Sequence, residues 1–177
     1  SYQGPRVNVV IASGNFPLAI LTGMVGASLV TGNTVVMKPA EQTSITATYL
    51  MKAFIEAGIP KGVLHMVLGQ GEVVGEYLVN HANTAMICFT GSKEVGLRIL
   101  QKASIPQLGQ KHIKRCITEL GGKNAIIVDA DADLDEAVAG VLYSAFGFQG
   151  QKCSACSRAI VLEDCYERFL DRLIEST

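Results

Sequence analysis

Two cysteines three residues apart, Cys153 and Cys156, stand among small polar residues in the stretch GQKCSACSR, 150–158. Such a pair could be half of a zinc site, a redox couple, or one nucleophilic thiol with a bystander. A zinc ribbon needs a second pair at matching spacing, but Cys88, Cys116 and Cys165 are solitary and His65, His81 and His112 are scattered, so no metal is expected. A thioredoxin-like couple belongs beside the first βαβ unit, and this pair lies late in the chain. A single nucleophilic thiol remains. A free thiol titrates at about 8.5, so a nucleophilic one working near neutrality needs a polar pocket or a nearby base. Glu119, on a short strand closed by Gly121-Gly122, is a carboxylate that a substrate or a water could reach.

Other polar residues fall directly after apolar runs. Lys38 and Glu41, in KPAE, could both hydrogen-bond a ribose diol, with Glu41 repelling a 2′-phosphate; they could equally form a surface ion pair. Gly91-Ser92, ahead of a helical segment, offer backbone N–H groups and a hydroxyl to an anion, or a plain helix cap. GQGEVVG (69–75) has a glycine spacing one residue longer than the dinucleotide fingerprint, and a tight turn would explain it as well. Ser13-Gly14-Asn15 follows the first apolar run.

The elements that must position these residues alternate along the chain. VNVVIA (7–12), TVVMK (34–38), VLHMVL (63–68) and AMICF (85–89) read as buried strands. Between and after them the pattern predicts helices from Pro17 to Gly32, from a Thr43 or Ser44 cap to Gly58, from about Glu72 to Asn80, and from about Lys93 to Lys102. This rhythm predicts an α/β fold, a Rossmann-like parallel sheet with helices on both faces. In such a sheet, ligands bind beyond the C-terminal strand ends, where the polar residues above lie.

After Ser104 a polar connection leads to strand CITEL (116–120). NAIIVD, a helix Asp133–Phe148, strand RAIVLE and a tail helix with Tyr166, Phe169, Leu170 and Leu173 on one face then begin a second α/β domain. The boundary is expected near Leu120, giving domains 1–120 and 121–177.

Hydrophobic residues make up 49% of the 177, charged residues 18%, and the formal net charge is -1. That composition suits a buried α/β core and no nucleic-acid partner. The charge-free run from Val7 to Met37 is long enough for a bilayer, but Asn15, Pro17 and Gly32-Asn33 break it, so no membrane is expected. Five cysteines, an odd number without scaffold density, point to a reducing compartment.

Taken together, GNFP (14–17), TGNTVVMKPAEQT (31–43), FTGS (89–92), ELGGK (119–123) and GQKCSACSR resemble, in order and separation, the NAD(P)-dependent aldehyde dehydrogenases. The runs IKRCITELGGKNAIIVD and SAFGFQGQKCSACSR are most similar to members that oxidise glutamate-γ-semialdehyde to glutamate in proline catabolism, some of them domains of a bifunctional proline-utilisation protein. The resemblance implies that Cys153 is the nucleophile and Cys156 the bystander. It implies that Asn15 and the Cys153 backbone N–H hold the oxyanion, that hydride passes to NAD, and that Glu119 activates the water that hydrolyses the thioester. Lys38 and Glu41 match contacts to the adenosine ribose and Ser92 a pyrophosphate contact; Gly91 and Leu120 join the cofactor set, and Gly71 stays a secondary candidate, since the family's cofactor lies closer to the Ser92 helix than to the Gly69–Gly71 loop. Glu41 favours NAD over NADP.

Gly14 departs from the family pattern, which commonly has tryptophan there; its loss implies a wider pocket and weaker phosphate binding. The resemblance also implies a longer homo-oligomeric enzyme, cytoplasmic or in the mitochondrial matrix of a eukaryote, of which this chain alone would be nearly inactive. Two alternatives stand beside it. One is another aldehyde dehydrogenase; the other is a non-catalytic nucleotide-binding or assembly module, which Gly14 favours and the trio of Asn15, Glu119 and Cys153 opposes.

Overall fold

A computed structural model describes residues 6–177. They form two compact units, one ending at Leu120 and the other Gly121–Thr177.

The charge-free run resolves into β1 (Val7–Ile11), α1 (Ala19–Val30) and β2 (Thr34–Lys38). Gly32, at φ +81, makes the turn out of α1, a conformation that costs glycine nothing. No helix among the described residues is long and apolar enough to cross a membrane. The first unit continues with α2 (Ser44–Glu56), β3 (Leu64–Met66), α3 (Glu76–Asn80), β4 (Thr84–Thr90), α4 (Lys93–Ala103) and β5 (Arg115–Glu119). All neighbours pair in parallel, in the order β3-β2-β1-β4-β5.

Strand alternation splits β1 between two cores. Val10 and Ala12 pack with Leu21, Val25, Ala47 and Leu50 of α1 and α2. Val9 and Ile11 pack with Val79, Ile99 and Ala103 of α3 and α4. Helices therefore cover both faces, as the apolar strand runs predict. Val9, Val10, Leu21, Val25 and Val35 are completely buried, each contributing roughly 1.5–3 kcal/mol of transfer free energy.

Several local expectations change. Neither Thr43 nor Ser44 caps α2 through its side chain; both hydroxyls donate backwards, to the carbonyls of Ala40 and Glu41, within a 3-10 turn, Glu41–Thr43. The expected helix from Glu72 to Asn80 is a π-helical turn, Gly71–Gly75, running into the short α3. β3 has only three residues, and β5 ends at Glu119, leaving Leu120 outside the strand. In the polar connection Lys114 is buried, its Nζ donating to the Val79 carbonyl in the last turn of α3 at 2.6 Å. Desolvation pushes its pKa down, partly offset by Cys116.

The second unit is a parallel pair, β6 (Asn124–Val128) and β7 (Cys156–Val161), with α5 (Leu134–Phe146) and α6 (Glu163–Ser176) on one face. Asp133 caps α5, accepting from the N–H groups of Asp135 and Glu136. Val128, Leu134, Val138, Val141, Cys165 and Phe169 form its core. The buried face of α6 is Cys165, Phe169 and Leu173, spaced four apart; Tyr166, expected on that face, lies a hundred degrees round the helix and is exposed. The helix expected to reach Phe148 stops at Phe146, because Phe148 and Gln149 are left-handed, at φ 54 and 57.

Candidate functional site

Connections leave β1 in opposite directions, toward β2-β3 on one side and β4-β5 on the other. The C-terminal end of β1 is thus the topological switch point, where loops diverge and leave a crevice. A cleft of about 630 Å³ opens there, lined among others by Ser13, Lys38, Glu41, Gly71, Gly91 and Ser92. Lys38, Glu41, Gly71, Gly91 and Ser92, each a candidate cofactor residue in the sequence, thus share one cavity with Ser13.

Lys38 ends β2 with its side chain buried. Its Nζ donates to Glu41 Oε1 at 2.8 Å and to the Pro39 carbonyl at 3.1 Å. The pair is therefore no surface ion pair: a buried ammonium orients a carboxylate that is half in solvent. The Lys38 hydrogen bond, outweighing a push upward from burial and joined by Lys38's charge and the Gly71 backbone, holds Glu41 below the usual carboxylate range. Gly71 is in the cleft because its bare Cα lies beside Glu41; an added Cβ would come 3.8 Å from Oε1. Gly69 has a different role, at φ +146 with Val74 where a Cβ would go: it is a turn glycine.

Ser92 caps α4, its hydroxyl accepting from the Val95 N–H at 3.2 Å. Beside it, a Cβ on Gly91 would come 2.5 Å from the Phe89 ring, and the Gly91 N–H donates to the Glu119 carbonyl at 3.1 Å. The ends of β4 and β5 are thereby tied, with Thr90 and Glu119 in register. Leu120 turns onto α4, where its side chain occupies the place of a Cβ on Gly96. Sequence reasoning missed Gly96; its only signal was a glycine in mid-helix, at a cost of about 1 kcal/mol that a packing reason offsets.

A smaller cavity of about 110 Å³ lies between the π-helical turn and α4, with Ile11, Val79, Val95 and Ile99 in its lining. Glu76, which also lines it, bridges Arg98 at 3.1 Å and Lys102 at 3.2 Å. Burial pushes Glu76 up, but Lys102, Arg98 and Asn80 together carry it below its usual value.

After β1, the Ser13 hydroxyl donates to Asn15 Oδ1 at 2.7 Å, turning the amide nitrogen the other way. Ser13 was not singled out for this in the sequence. Gly14 has room for a side chain, since a Cβ would meet Ala40 and Thr43 only at ordinary van der Waals distance.

Cys153 belongs to the second unit and is exposed. It sits in a turn closed by the Ala155 N–H on the Lys152 carbonyl at 3.2 Å. Three successive left-handed residues, Phe148, Gln149 and Gly150, lead into it. Cys156 is buried at the start of β7, its N–H held by Ser144 Oγ and its thiol donating to the Arg158 carbonyl at 3.3 Å. The two thiols thus differ sharply in access, one open and one tied into the strand.

The chain belongs to the aldehyde dehydrogenase family, whose model matches residues 6–177. It is 53% identical over 171 residues to a 1-pyrroline-5-carboxylate dehydrogenase of Geobacillus thermodenitrificans, covering 97% of this chain and 33% of that protein. Among solved structures it is similar to proline utilization A (PutA) from Bdellovibrio bacteriovorus inactivated by N-propargylglycine, with a TM-score of 0.94 and 63% identity over 98% of this chain and 18% of that one. It is also similar to a 1-pyrroline-5-carboxylate dehydrogenase from Thermus with bound NAD, with a TM-score of 0.91 and 47% identity over 97% of this chain and 34% of that one. The chain spans about a third of the length of the curated relatives it matches.

Proposed function

We propose that the protein carrying this chain is an NAD-dependent aldehyde dehydrogenase that oxidises glutamate-γ-semialdehyde to glutamate. The observation that carries the reading is the cleft at the β1 switch point, where the buried Lys38 presents the Glu41 carboxylate at 2.8 Å beside the open backbone of Gly71. The residues fit a dinucleotide. Lys38 and Glu41 offer a donor and an acceptor to a ribose diol, and an ionised Glu41 disfavours a 2′-phosphate. Gly91 and the α4 N-terminus, with the Ser92 hydroxyl, suit a pyrophosphate. The apolar walls of the smaller cavity, Val79, Val95 and Ile99, suit a flat aromatic base. Leu120 completes the cofactor set. Bound NAD would supply the hydride acceptor.

The remaining chemistry belongs to the chain. The Cys153 thiolate adds to the aldehyde carbon, and the carbonyl oxygen becomes an oxyanion held by the Asn15 amide and the Cys153 backbone N–H. Ser13 donates to Asn15 Oδ1 and so helps to orient that amide. After oxidation Glu119 takes a proton from water, which hydrolyses the Cys153 thioester and releases the carboxylic acid. The semialdehyde is named through the identity to 1-pyrroline-5-carboxylate dehydrogenases. A homo-oligomer in the cytoplasm, or in the mitochondrial matrix of a eukaryote, completes the proposal.

The test is NADH formation by the intact protein with glutamate-γ-semialdehyde, beside short aliphatic aldehydes. Preferred turnover of the semialdehyde supports the reading; preference for another aldehyde moves the substrate within the family. NAD binding without turnover of any aldehyde would favour the non-catalytic module that Gly14 suggests.

A further inference from the structure

Asn124 opens β6 where the register against β7 shifts, between Asn124 and Ala125. The ladder begins with Asn124 opposite Cys156, so the carbonyls of the preceding residues lie beyond the reach of its backbone bonds. The Asn124 side chain reaches two of them instead. Its Nδ2 donates to the Cys153 carbonyl at 2.7 Å and to the Ala155 carbonyl at 3.1 Å. Both hydrogens of one amide nitrogen are thus spent on the turn that carries the thiol.

Gly122 makes room for this contact. A Cβ there would come 2.9 Å from the Cys153 carbonyl oxygen and 3.1 Å from the Asn124 amide. Any side chain at 122 must push aside either the donor or the acceptor. The turn is held from the other direction by the Ala155 N–H on the Lys152 carbonyl and is entered through the left-handed residues Phe148–Gly150. Asn124 thus bonds the carbonyl of the cysteine itself as well as that of Ala155.

We infer that Asn124 is a positioning residue for the Cys153 nucleophile, with Gly122 providing the clearance it needs. This rests on the proposal that Cys153 is the nucleophile. The Asn124 side chain donates to backbone carbonyls, so its effect passes through geometry: pinning the Cys153 carbonyl restricts ψ at Cys153, and the thiol and the N–H that would face the oxyanion extend from that same restricted residue. Released, the turn samples more conformations, and a smaller fraction holds thiol and N–H ready together. Asparagine suits the role because it places two donors on one atom. Aspartate has the same shape but, ionised, turns only acceptors toward two carbonyls; alanine offers nothing.

The experiment compares Asn124→Ala, Asn124→Asp and Gly122→Ala with wild type in the intact protein. Arg172→Ala serves as a control, since it breaks an exposed α5–α6 ion pair of the same unit, Arg172 to Asp135 at 2.5 Å. Three readouts are taken: kcat and KM with aldehyde and NAD, the thermal midpoint, and the rate at which iodoacetamide alkylates Cys153, followed on its peptide by mass spectrometry. We expect kcat to fall about 10- to 100-fold in all three variants with KM for NAD within about two-fold of wild type, whereas Arg172→Ala leaves kcat unchanged. The Cys153 alkylation rate should differ in wild type from that of the free peptide GQKCSACSR, and the variants should shift it toward the peptide value. Wild-type kcat and alkylation in Asn124→Asp, or a wild-type alkylation rate equal to the peptide's, overturns the inference. Should wild type turn over no aldehyde, the functional reading fails, and the alkylation series still decides whether Asn124 holds the turn.

Discussion

The cleft of the first unit and the Cys153 turn of the second are built on different principles. The cleft is made by regular structure: parallel strands end at one edge of a sheet, and the side chains just beyond them, Lys38, Glu41 and Ser92, meet because the topology reverses at β1. Its polar groups also satisfy one another, Lys38 with Glu41 and Ser92 with the start of α4. The Cys153 turn belongs to no strand or helix. Left-handed residues lead into it, a glycine clears space for it, and one side-chain amide holds it where the ladder has not yet begun. Where recognition needs only a place, repeating structure supplies one; where one atom must point one way, irregular backbone is used, at some cost in strain.

The comparison breaks most visibly if the two regions do not separate by function. Cys153→Ala should lower dehydrogenase turnover by roughly four orders of magnitude or more while calorimetric NAD affinity stays at the wild-type value. A loss of both together would mean that the turn also builds the cofactor site. Next in size, Lys38→Met removes the buried cation and leaves Glu41 without its principal donor, so NAD should bind about 10- to 100-fold more weakly. Glu41→Gln, which keeps a Lys38 partner, should cost less. Equal effects would show that Lys38 does not act through Glu41.

Acid should separate the regions as well. Glu41 and Glu76 both have depressed pKa values in the folded chain, so their contribution is complete above the unfolded carboxylate value, about 4.3, and is lost as the pH falls through the lower folded values. Thermal midpoints measured from pH 5 downward should drop less steeply in the Glu41→Gln, Glu76→Gln double variant than in wild type; parallel curves would sink this account. The smallest effect is expected at Gln149. Glycine there relieves a left-handed φ of 57 at the price of a Gln151–Gln149 side-chain bond, for a net stabilisation of about 0.5 kcal/mol. A lower thermal midpoint for Gln149→Gly would show that the strain is outweighed by contacts of that side chain.

Much of the cleft was legible because position after a strand is a sequence property. The strand runs at 7–12, 34–38 and 85–89 are apolar on both faces, so the sequence itself places their ends, and with them Lys38, Glu41, Gly91 and Ser92. The partnerships were less legible. That Lys38 is buried and bonded to Glu41, that Leu120 fills the space above Gly96, and that Ser13 holds Asn15 depend on which side chains face one another. The departures followed the same division: a π-helical turn at Gly71–Gly75 and a helix stopping at Phe146 are conformations that hydrophobic period does not encode. Tyr166 was misplaced because an aromatic at near-helical spacing resembles core until the neighbouring helix selects Cys165 and Phe169.

By itself, then, the sequence determined the alternation of strands and helices, the parallel doubly wound sheet, and, through its motifs, membership of the aldehyde dehydrogenase family. All of these follow from local periodicity and from residue types at fixed spacing. Only the tertiary structure decided that Asn124 spends both amide hydrogens on the carbonyls of Cys153 and Ala155, and that Gly122 must stay bare for it to do so. Those residues are about thirty positions apart, and nothing in their spacing says that they meet. Strand pairing brings them together, and a hydrogen bond is set by distance in space rather than along the chain.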